Sequence, residues 1–480
     1  MIASHFTYLD QSQIAALRDK VLEFLKQHGV KLDPHQEMLE ILADAGARVD
    51  SASGMVRFPR PLLEDFLQQA PKTMTLGART PQHRLQLPRP DGTFYARSGT
   101  GSHGWIDPET DYYRKVSLED LANWAKLINR LDEISFLPFL FPDDAPTASA
   151  DVHALAVLLK NSDKHLWVQP YSAQSVEYLI RLATAVAGGE DSLRENPLIS
   201  MIACSLTPRA FKHMDLEIIL RSARLGLPIH ACSLPGAGGT APATMPGVVI
   251  LATAEILAMV AMAQAVAPGA PVIACPIIFS TDMKTGRSLQ ASVEAISGAA
   301  LAIQFIKAAF GLPTHNYGSG SDAPLPDGQS MSERAMLTTF MAASGLDILG
   351  GAGQLEVATT VSPLQLMVDN EVFAMARHLM TGFELSDDQL AWEVLVETEP
   401  GQHFLTSRHT LMHCRDAFTP HNFIRCARGS WEREVQKDLW QRVREQHRDI
   451  MSQENTARLP QDQAQELDAI VQGADRRLCA

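Results

Sequence analysis

The sequence predicts an α/β fold, a TIM (β/α)8 barrel with an N-terminal cap and a helical C-terminal extension. The main observation is an alternation between residues 94 and 384, in which each of eight short apolar runs is followed by a helical stretch. That count and that length are typical of a (β/α)8 barrel. A doubly wound sheet is the alternative, but no nucleotide-binding turn follows the first run. The predicted strands are 94–99, 134–141, 165–170, 198–205, 228–234, 271–277, 313–318 and 346–349.

The helical stretches carry apolar residues at the spacing of an amphipathic or buried helix. The stretch at 250–267 is apolar over a long run, but it is rich in alanine and contains Glu255 and Gln264. We therefore predict a buried barrel helix and no membrane span. The predicted helices are 118–131, 148–160, 173–186, 208–225, 248–267, 289–310, 332–344 and 363–380.

The residues before and after the eight predicted strand–helix units do not continue that pattern. Residues 1–93 predict three helices followed by strand-like alternation, which we interpret as a cap on the barrel. Residues 385–480 turn acidic and then basic, which we interpret as a helical extension. The predicted domains are therefore 1–93, 94–384 and 385–480.

Charge and cysteine content limit the possible partners and the compartment. Lys and Arg number 41 against 55 Asp and Glu, so the net charge is −14 and phosphate backbones are repelled. The N-terminus lacks a charged stretch followed by an apolar run, so we predict no signal peptide. None of the 6 cysteines forms a C-x-x-C pair. These features predict a cytoplasmic protein with reduced thiols and no nucleic-acid partner.

Aromatic and histidine side chains are frequent at the predicted strand ends, where TIM barrels carry their working residues. Lys and Arg are nearly absent there, although a phosphorylated substrate would need them. An aromatic, weakly acidic mouth instead favours a quaternary ammonium, which binds through cation–π contacts. The alternative is ordinary packing of aromatic residues at the barrel ends.

The segment 235–247 joins the fifth predicted strand to a long helix and is rich in Gly, Pro and Thr. Its glycines allow close backbone approach to a ligand, and exposed N–H groups ahead of a helix can hold an anion. It is neither a P-loop nor a G-x-G-x-x-G turn. A plain connection, in which glycine only serves the turn, remains the alternative.

Cys204, Cys232 and Cys275 fall on three predicted strands, and His230 and His315 lie nearby. This combination could indicate a zinc site that activates a thiol. Strand alternation places His230 and Cys232 on one face, but Cys204 and Cys275 lie among apolar residues. We therefore predict buried cysteines that act as small hydrophobic residues, and no bound metal.

Five motifs then carry a resemblance to a known family over residues 10–445. They are LPGAGGTAPAT at 234–244, AEILA at 254–258, APGAPV at 267–272, GSDAPLPDGQ at 320–329 with Glu333, and GQHFL at 401–405 with HTLMH at 409–413. In this order they resemble the trimethylamine methyltransferase superfamily, whose fold is a TIM barrel. Its founding members carry pyrrolysine, whereas this chain has ordinary residues throughout, including SDAPLPD at 321–327. The chain therefore resembles the non-pyrrolysine branch, which includes glycine betaine:corrinoid protein methyltransferases.

The resemblance implies an SN2 transfer of an N-methyl group to Co(I) of a corrinoid (cobalamin) that a separate protein carries. A quaternary nitrogen is already cationic, so it leaves as a tertiary amine without protonation, and the enzyme supplies positioning and electrostatics. A cognate corrinoid protein is thus an expected partner, and a homo-oligomer is possible.

On this reading the strand ends supply three predicted groups of site residues. The predicted catalytic residues are His103, His315 and Asp322. The predicted substrate-binding residues are Trp105, Gln169, Tyr171, Phe279, Tyr317 and Glu356. The predicted cofactor-binding residues are Gly236, Gly238, Gly239 and Thr240.

Within these groups, the aromatic side chains form the wall for the onium head. His103, His315 and Gln169 hold the rest of the substrate, such as a carboxylate, and Asp322 and Glu356 balance the cation. Two alternatives remain open, a zinc-dependent, thiol-activating methyltransferase and a non-catalytic betaine-binding protein.

Overall fold

A computed structural model describes residues 7–480, and its central element is a barrel of eight strands, each followed by a helix. We label these elements β1–β8 and α1–α8. They are β1 Tyr95–Ser98, α1 Leu118–Ile128, β2 Ile134–Pro138, α2 Ala150–Asn161, β3 His165–Val168, α3 Ala173–Ala187, β4 Ile199–Cys204, α4 His213–Leu225, β5 Ile229–Ser233, α5 Met245–Val266, β6 Val272–Pro276, α6 Val293–Phe310, β7 His315–Tyr317, α7 Gly328–Ala343, β8 Ile348–Ala352 and α8 Pro363–Met380.

The strands form one sheet in the order β6-β5-β4-β3-β2-β1-β8-β7, and every neighbouring pair is parallel. The two ends of the sheet meet where Ala274 N–H donates to the carbonyl of Pro313 at 2.8 Å. A parallel bridge between Ala274 and Thr314 marks the same closure. The prediction of a TIM barrel is confirmed, and each predicted strand overlaps an observed one.

Helices α7 and α4 begin several residues away from their predicted starts, each for a local reason. Helix α7 starts at Gly328, four residues early, because the carboxylate of Asp327 accepts the Ser330 N–H at 3.0 Å and caps the helix. Helix α4 starts at His213, because Ala210–Phe211 forms a short strand that pairs in parallel with Val30–Leu32 of the cap.

Helix α5 is the most apolar helix and lies inside the protein. By length and composition, α5 and α6 are both apolar enough to cross a membrane. The apolar stretch of α5 has a mean hydropathy of 2.0 and is 89% buried in the protein, and that of α6 is 56% buried. Glu255 of α5 is fully buried and accepts hydrogen bonds from Ser205 Oγ, Thr207 Oγ1, Ser233 Oγ and the Arg209 N–H. This carboxylate ties the ends of β4 and β5 to α5, as expected for a core helix.

The cap closes the N-terminal end of the barrel. An antiparallel hairpin, Met74–Leu76 with Leu85–Leu87, places Leu76, Leu85 and Leu87 in one buried cluster with inward-facing barrel residues such as Phe136. The remaining cap elements are the helices Gln11–Gln27, Gln36–Asp44, Arg60–Gln69 and Pro81–His83 and the strands Val30–Leu32, Arg48–Asp50 and Met55–Arg57.

The C-terminal segment packs back on the outside of the barrel. Lys126 Nζ of α1 donates to the carbonyl of Met451 at 2.7 Å, and Arg79 Nη1 of the cap donates to the carbonyl of Ala457 at 2.9 Å. One apolar core includes residues from cap, barrel and extension, so the domain boundaries at 93 and 384 stay a prediction. The C-terminal helices are Asp387–Leu390, Trp392–Glu397, Arg408–His413, Arg428–Ser430, Trp431–Val435, Leu439–Ser452 and Gln461–Leu478.

Short elements decorate the loops between strands and helices. They are Gly104–Ile106 and Tyr113–Lys115 after β1, Thr147–Ser149 before α2, Glu190–Glu195 after α3, Gly236–Ala237 after β5, Phe279–Thr281 and Ser288–Leu289 after β6, and Gln354–Leu355 and Thr360–Val361 after β8.

Candidate active site

The C-terminal mouth of the barrel is lined by apolar, aromatic and thiol side chains. Tyr317 at the end of β7 and Cys232 on β5 are buried in the inner cluster. Leu234, Phe279 and Ala358 pack on the same cluster and are partly exposed at the opening. Two of the predicted aromatic wall residues, Tyr317 and Phe279, thus lie in or against the same inner cluster.

Arg97 is a buried cation beside Trp167 and Tyr317, and the sequence analysis missed it. It is the third residue of β1 and is 0% exposed. Its guanidinium carbon lies 4.3 Å from the centroid of the Trp167 ring and 5.2 Å from that of Tyr317. Strand alternation places Arg97 on the same face of β1 as Tyr95, which packs on the inner cluster, and this signal could have identified it.

The guanidinium of Arg97 is held on one side only. Its Nε donates to His315 Nε2 at 2.7 Å, and Nη1 donates to the carbonyl of Ser98 at 2.8 Å. Nη2 is buried and has no hydrogen-bond partner within residues 7–480. No carboxylate among residues 7–480 forms an ion pair with it. Burial lowers the pKa of Arg97 from its ordinary value, but a guanidinium keeps its proton in proteins, so this is a buried, unpaired cation.

Gly350 on β8 creates the space that this guanidinium occupies. A Cβ at Gly350 would lie 2.6 Å from Cζ and 2.7 Å from Nη2 of Arg97. Any larger residue would therefore displace the charged group.

A chain of buried polar groups runs from Arg97 towards the bottom of the barrel. His315 Nδ1 is 3.0 Å from His230 Nδ1, and His230 Nε2 is 3.0 Å from Ser200 Oγ. Ser200 Oγ is 2.8 Å from His165 Nε2, and His165 Nδ1 is 2.8 Å from the carbonyl of Gly77 in the cap.

Because Arg97 can only donate, it fixes every proton in this chain. His315 accepts at Nε2 and must donate from Nδ1, so His230 accepts at Nδ1 and donates from Nε2 to Ser200. Ser200 then donates to His165, which donates to Gly77. Burial lowers the pKa of His230 and His315 well below the ordinary value and that of His165 to about 4, so all three rings are neutral at pH 7.

His230, Cys275 and His315 also form the most enclosed group that could hold a metal ion in the described chain. Cys275 Sγ lies 3.4 Å from His315 Nδ1 and 3.8 Å from His230 Nδ1. A metal bound at these nitrogens would require a proton on His315 Nε2, which would then face the donating Arg97 Nε at 2.7 Å. This conflict argues against a metal here, and the absence of a bound metal stays a prediction.

The three strand cysteines lie side by side across the barrel. Cys232 on β5 is the register partner of Cys204 on β4 and also of Cys275 on β6. The hydrogen bond with Cys232, together with burial, raises the pKa of Cys204, and burial raises that of Cys232. These two groups are thus neutral thiols at pH 7, as expected for cysteines that serve as packing residues.

A second aromatic group lies on the rim above β1–β3. The ring of the exposed His103 is 4.5 Å from that of Phe141, which is 4.7 Å from that of Tyr171. Gln169 lies beside them, since its Oε1 would be 3.8 Å from a Cβ at Gly101. Three predicted site residues, His103, Gln169 and Tyr171, therefore lie together, apart from the group of Phe279 and Tyr317.

Two predicted residues lie away from the opening. Trp105 is 3% exposed and packs 5.8 Å from Trp124 of α1, because its hairpin folds over α1 and pairs with Thr360–Val361. The Trp105 ring therefore packs against α1 and not at the opening, and its role in the onium wall stays a prediction. His315 starts β7 beneath Arg97 and is fully buried, so it supports Arg97 and does not face the opening.

The two predicted acids hold loops at the mouth. Asp322 accepts the N–H groups of Gln290 and Ala291 at 2.9 and 3.1 Å, and burial raises its pKa. Glu356 lines an open groove of about 470 Å³ and accepts from Thr360 Oγ1 at 2.7 Å. Glu356, Val357 and Ala358 have φ of 50°, 55° and 71°, a strained left-handed run that brings Ala358 to the opening.

The glycine-rich turn after β5 is exposed on the same end of the barrel but bonds to itself. The Gly236 N–H donates to Thr240 Oγ1 at 2.9 Å, and the Gly238 N–H donates to the carbonyl of Ala241 at 3.1 Å. The N–H groups of Gly239 and Thr240 both donate to the carbonyl of Gly236 at 3.0 Å. The N–H groups of these four residues are therefore occupied within the turn and do not form the predicted anion site.

Comparison with known proteins places the chain in a family. Residues 2–478 match the family described as "Trimethylamine methyltransferase (MTTB)". A trimethylamine methyltransferase MttB of Desulfitobacterium hafniense (strain DSM 10664 / DCB-2) is 30% identical over 464 residues, which cover 96% of this chain and 92% of that protein. A glycine betaine methyltransferase of Desulfitobacterium hafniense (strain Y51) is 29% identical over 438 residues, 89% of each chain.

A solved structure shares the fold. The monomethylamine methyltransferase of Methanosarcina barkeri superposes with a TM-score of 0.55 at 14% identity, over 94% of this chain and 90% of that one. The family match and the relatives confirm the resemblance that the sequence motifs indicated. The chain therefore belongs to the trimethylamine methyltransferase family and is a methyltransferase.

Proposed function

We propose that this protein transfers a methyl group from a quaternary amine, of which glycine betaine is the example, to Co(I) of a corrinoid that a partner protein carries. The observation that supports this is that the buried ionisable groups Tyr317, Cys232 and His315 are poor general acids. Burial raises the pKa of Tyr317 and Cys232 and keeps His315 neutral, so these groups are weak acids at pH 7. A quaternary amine needs no acid, because its nitrogen leaves as a neutral tertiary amine.

The mouth also suits a permanent cation. Phe279 is partly exposed at the opening, and the rim rings of Phe141 and Tyr171 offer further aromatic surface. A cation over an aromatic face gains roughly 0.5–2 kcal/mol, depending on how far it is desolvated. One such face would favour a trimethylammonium group over its neutral tert-butyl isostere by about 2- to 30-fold.

In the proposed reaction the chain positions the substrate and excludes water. The corrinoid of the partner would supply a two-electron nucleophile that takes the methyl group, and the electron pair of the broken C–N bond would stay on the tertiary amine. The protein's part is to aim one methyl group outward from the mouth, towards the partner.

A rim of exposed apolar side chains supports docking of a partner protein at this end. Leu206, Met283 and Leu325 follow β4, β6 and β7 and are 52%, 79% and 52% exposed. Gly238 adjoins Met283, whose sulfur would be 3.3 Å from a Cβ at Gly238. We propose that this rim, with the turn from Gly236 to Thr240, contacts the corrinoid protein in the cytoplasm.

The function is tested with purified protein, free Co(I) cobalamin and a series of methylated amines. We expect methylcobalamin, followed by its absorption spectrum, with glycine betaine and not with trimethylamine. Met283→Glu should slow transfer to the corrinoid protein while transfer to free cobalamin stays unchanged. Equal turnover of trimethylamine, or no methylcobalamin with any quaternary amine, would contradict the proposal.

The zinc-dependent, thiol-activating enzyme remains the second candidate, because His230, Cys275 and His315 converge. Elemental analysis separates the two functions. We expect no stoichiometric metal in the purified protein. About one zinc per chain, lost in Cys275→Ser, would support the zinc enzyme instead.

A further inference from the structure

Arg97 differs from two other buried cations, Lys164 and Arg334. Lys164 donates its ammonium protons to three backbone carbonyls, those of Ile128, Leu131 and Ile134. Arg334 forms an ion pair with Asp369 at 2.6 Å. Arg97 has neither a carboxylate nor a full set of acceptors, and its Nη2 donates to no atom of the described chain. A buried charge of this kind is costly unless something pairs with it.

The unpaired Nη2 of Arg97 is buried inside the barrel, beside Gly350 of β8. The His315 ring and the Ser98 carbonyl hold Nε and Nη1, and the Trp167 ring lies against the flat face. The ionisable neighbours that act most strongly on Arg97 are Tyr317, Cys232 and Cys275, which belong to the cluster inside the barrel. The proton chain through the histidines fixes this orientation, because it leaves His315 Nε2 free only to accept.

We propose that Arg97 forms a carboxylate-binding subsite below the onium site, so that the enzyme selects betaines, which carry both a quaternary ammonium and a carboxylate. This inference rests on the proposed function. The carboxylate would accept from Nη2 and so supply the missing ion pair. The ammonium would then lie further out, near Phe279 and the opening, with its methyl groups directed at the partner.

The same charge acts against substrates that are only cations. Choline and trimethylammonium would bring a second positive charge towards Arg97 without compensating either one. A zwitterion compensates both, since its carboxylate pairs with Arg97 while its ammonium meets aromatic faces. The selectivity therefore depends on the carboxylate and not on the size of the onium head.

Calorimetry with glycine betaine and choline tests this subsite, because the two ligands share the trimethylammonium group. We expect wild type to bind glycine betaine at least tenfold more tightly than choline. Arg97→Met should weaken glycine betaine by roughly 10- to 100-fold, as expected for the loss of a charge-assisted hydrogen bond. Choline binding should stay within threefold or improve.

Arg89→Met is the matched control. Arg89 also lies over an aromatic ring, 5.1 Å from the centroid of Tyr95, but at the other end of β1 and paired with Asp91. It should leave the affinity for both ligands unchanged. Thermal unfolding of each variant reports whether the fold is kept.

Equal affinity of wild type for glycine betaine and choline, or no binding of glycine betaine, would overturn the subsite whatever the variants do. An equal loss of both ligands in a folded Arg97→Met protein would also overturn it. These results are distinct from failure of the proposed function. Turnover of choline alone would keep the methyl transfer and refute the subsite, whereas carboxylate-dependent binding without methylcobalamin would keep the subsite and refute the transfer.

Discussion

Two fully buried arginines lie at the C-terminal end of the barrel, and their surroundings are opposite. Arg334 on α7 pairs with Asp369 of α8 and also donates to Ser319 Oγ, Ser330 Oγ and the carbonyl of Gln354. Arg97 on β1 has two acceptors and no carboxylate. The difference indicates that the Arg334 site is complete within the free protein, whereas the Arg97 site has capacity left for a ligand.

The Arg334 cluster has a structural task. Asp369 also accepts the Gly353 N–H at 2.6 Å and Gln365 Nε2 at 2.9 Å, so the pair joins α7, α8 and the turn that follows β8. That turn lies beside Gly350 and Gly351, which face Arg97 and Ser319 respectively. The Arg334–Asp369 ion pair thus holds the backbone beside Arg97, whose guanidinium has no carboxylate partner.

The largest expected effect is the loss of stability when Arg334, the arginine of the buried ion pair, is replaced. Arg334→Met leaves the Asp369 carboxylate buried and unpaired, so we expect the free energy of unfolding to fall by about 3–5 kcal/mol. Urea denaturation measures this. Arg334→Met combined with Asp369→Leu should recover most of the loss, and a fall below about 1 kcal/mol in the single variant would show that the pair is not the main contributor.

The histidine chain that supports Arg97 should make the fold acid-sensitive. The pKa of His165 is about 4 in the folded protein, below the value of 6.5 expected when unfolded, so the folded state binds fewer protons between these pH values. Its contribution to the free energy of unfolding is full above pH 6.5 and is lost as the pH falls towards 4, by about 3 kcal/mol in total.

Denaturation of His165→Gln from pH 7 to pH 4 checks this contribution. Glutamine can keep both hydrogen bonds but does not titrate, so the variant should lose less stability on acidification than wild type. His421→Gln, at an exposed position, is the control and should leave the slope unchanged. An identical slope in His165→Gln and wild type would contradict the neutral histidine chain.

Gly350→Ala tests the space around Arg97 without removing its charge. The added Cβ overlaps Cζ of Arg97, so the guanidinium must shift, at a cost of roughly 1–3 kcal/mol in stability or in ligand affinity. We expect the preference for glycine betaine over choline to fall about tenfold. Gly328→Ala, where a Cβ would meet nothing within 4 Å, should change neither quantity.

The smallest expected effect is that of Arg97→Met on the stability of the fold. Removing an uncompensated buried charge should leave the free energy of unfolding unchanged or raise it by about 1 kcal/mol, the opposite of Arg334→Met. Thermal and urea unfolding measure it. A loss above about 3 kcal/mol would mean that Arg97 is needed for the fold, and the contrast between the two arginines would fail.

The sequence by itself determined the eight strands, most helix bounds and the family, because apolar periodicity and short motifs are local properties of the chain. The main feature that the sequence-based prediction lacked is the buried positive charge of Arg97. Only the third position of a four-residue strand marks Arg97 as inward-facing, and no local pattern shows that an arginine will be left without an acid.

The tertiary structure alone decided which side chains meet. Arg97, Trp167 and His315 come from β1, β3 and β7, and they converge only because the sheet closes with a particular register. The same register placed His230 and Ser200 below them and sent Trp105 outward over α1. Distances across a barrel depend on strand register and closure, which periodicity along the chain does not specify.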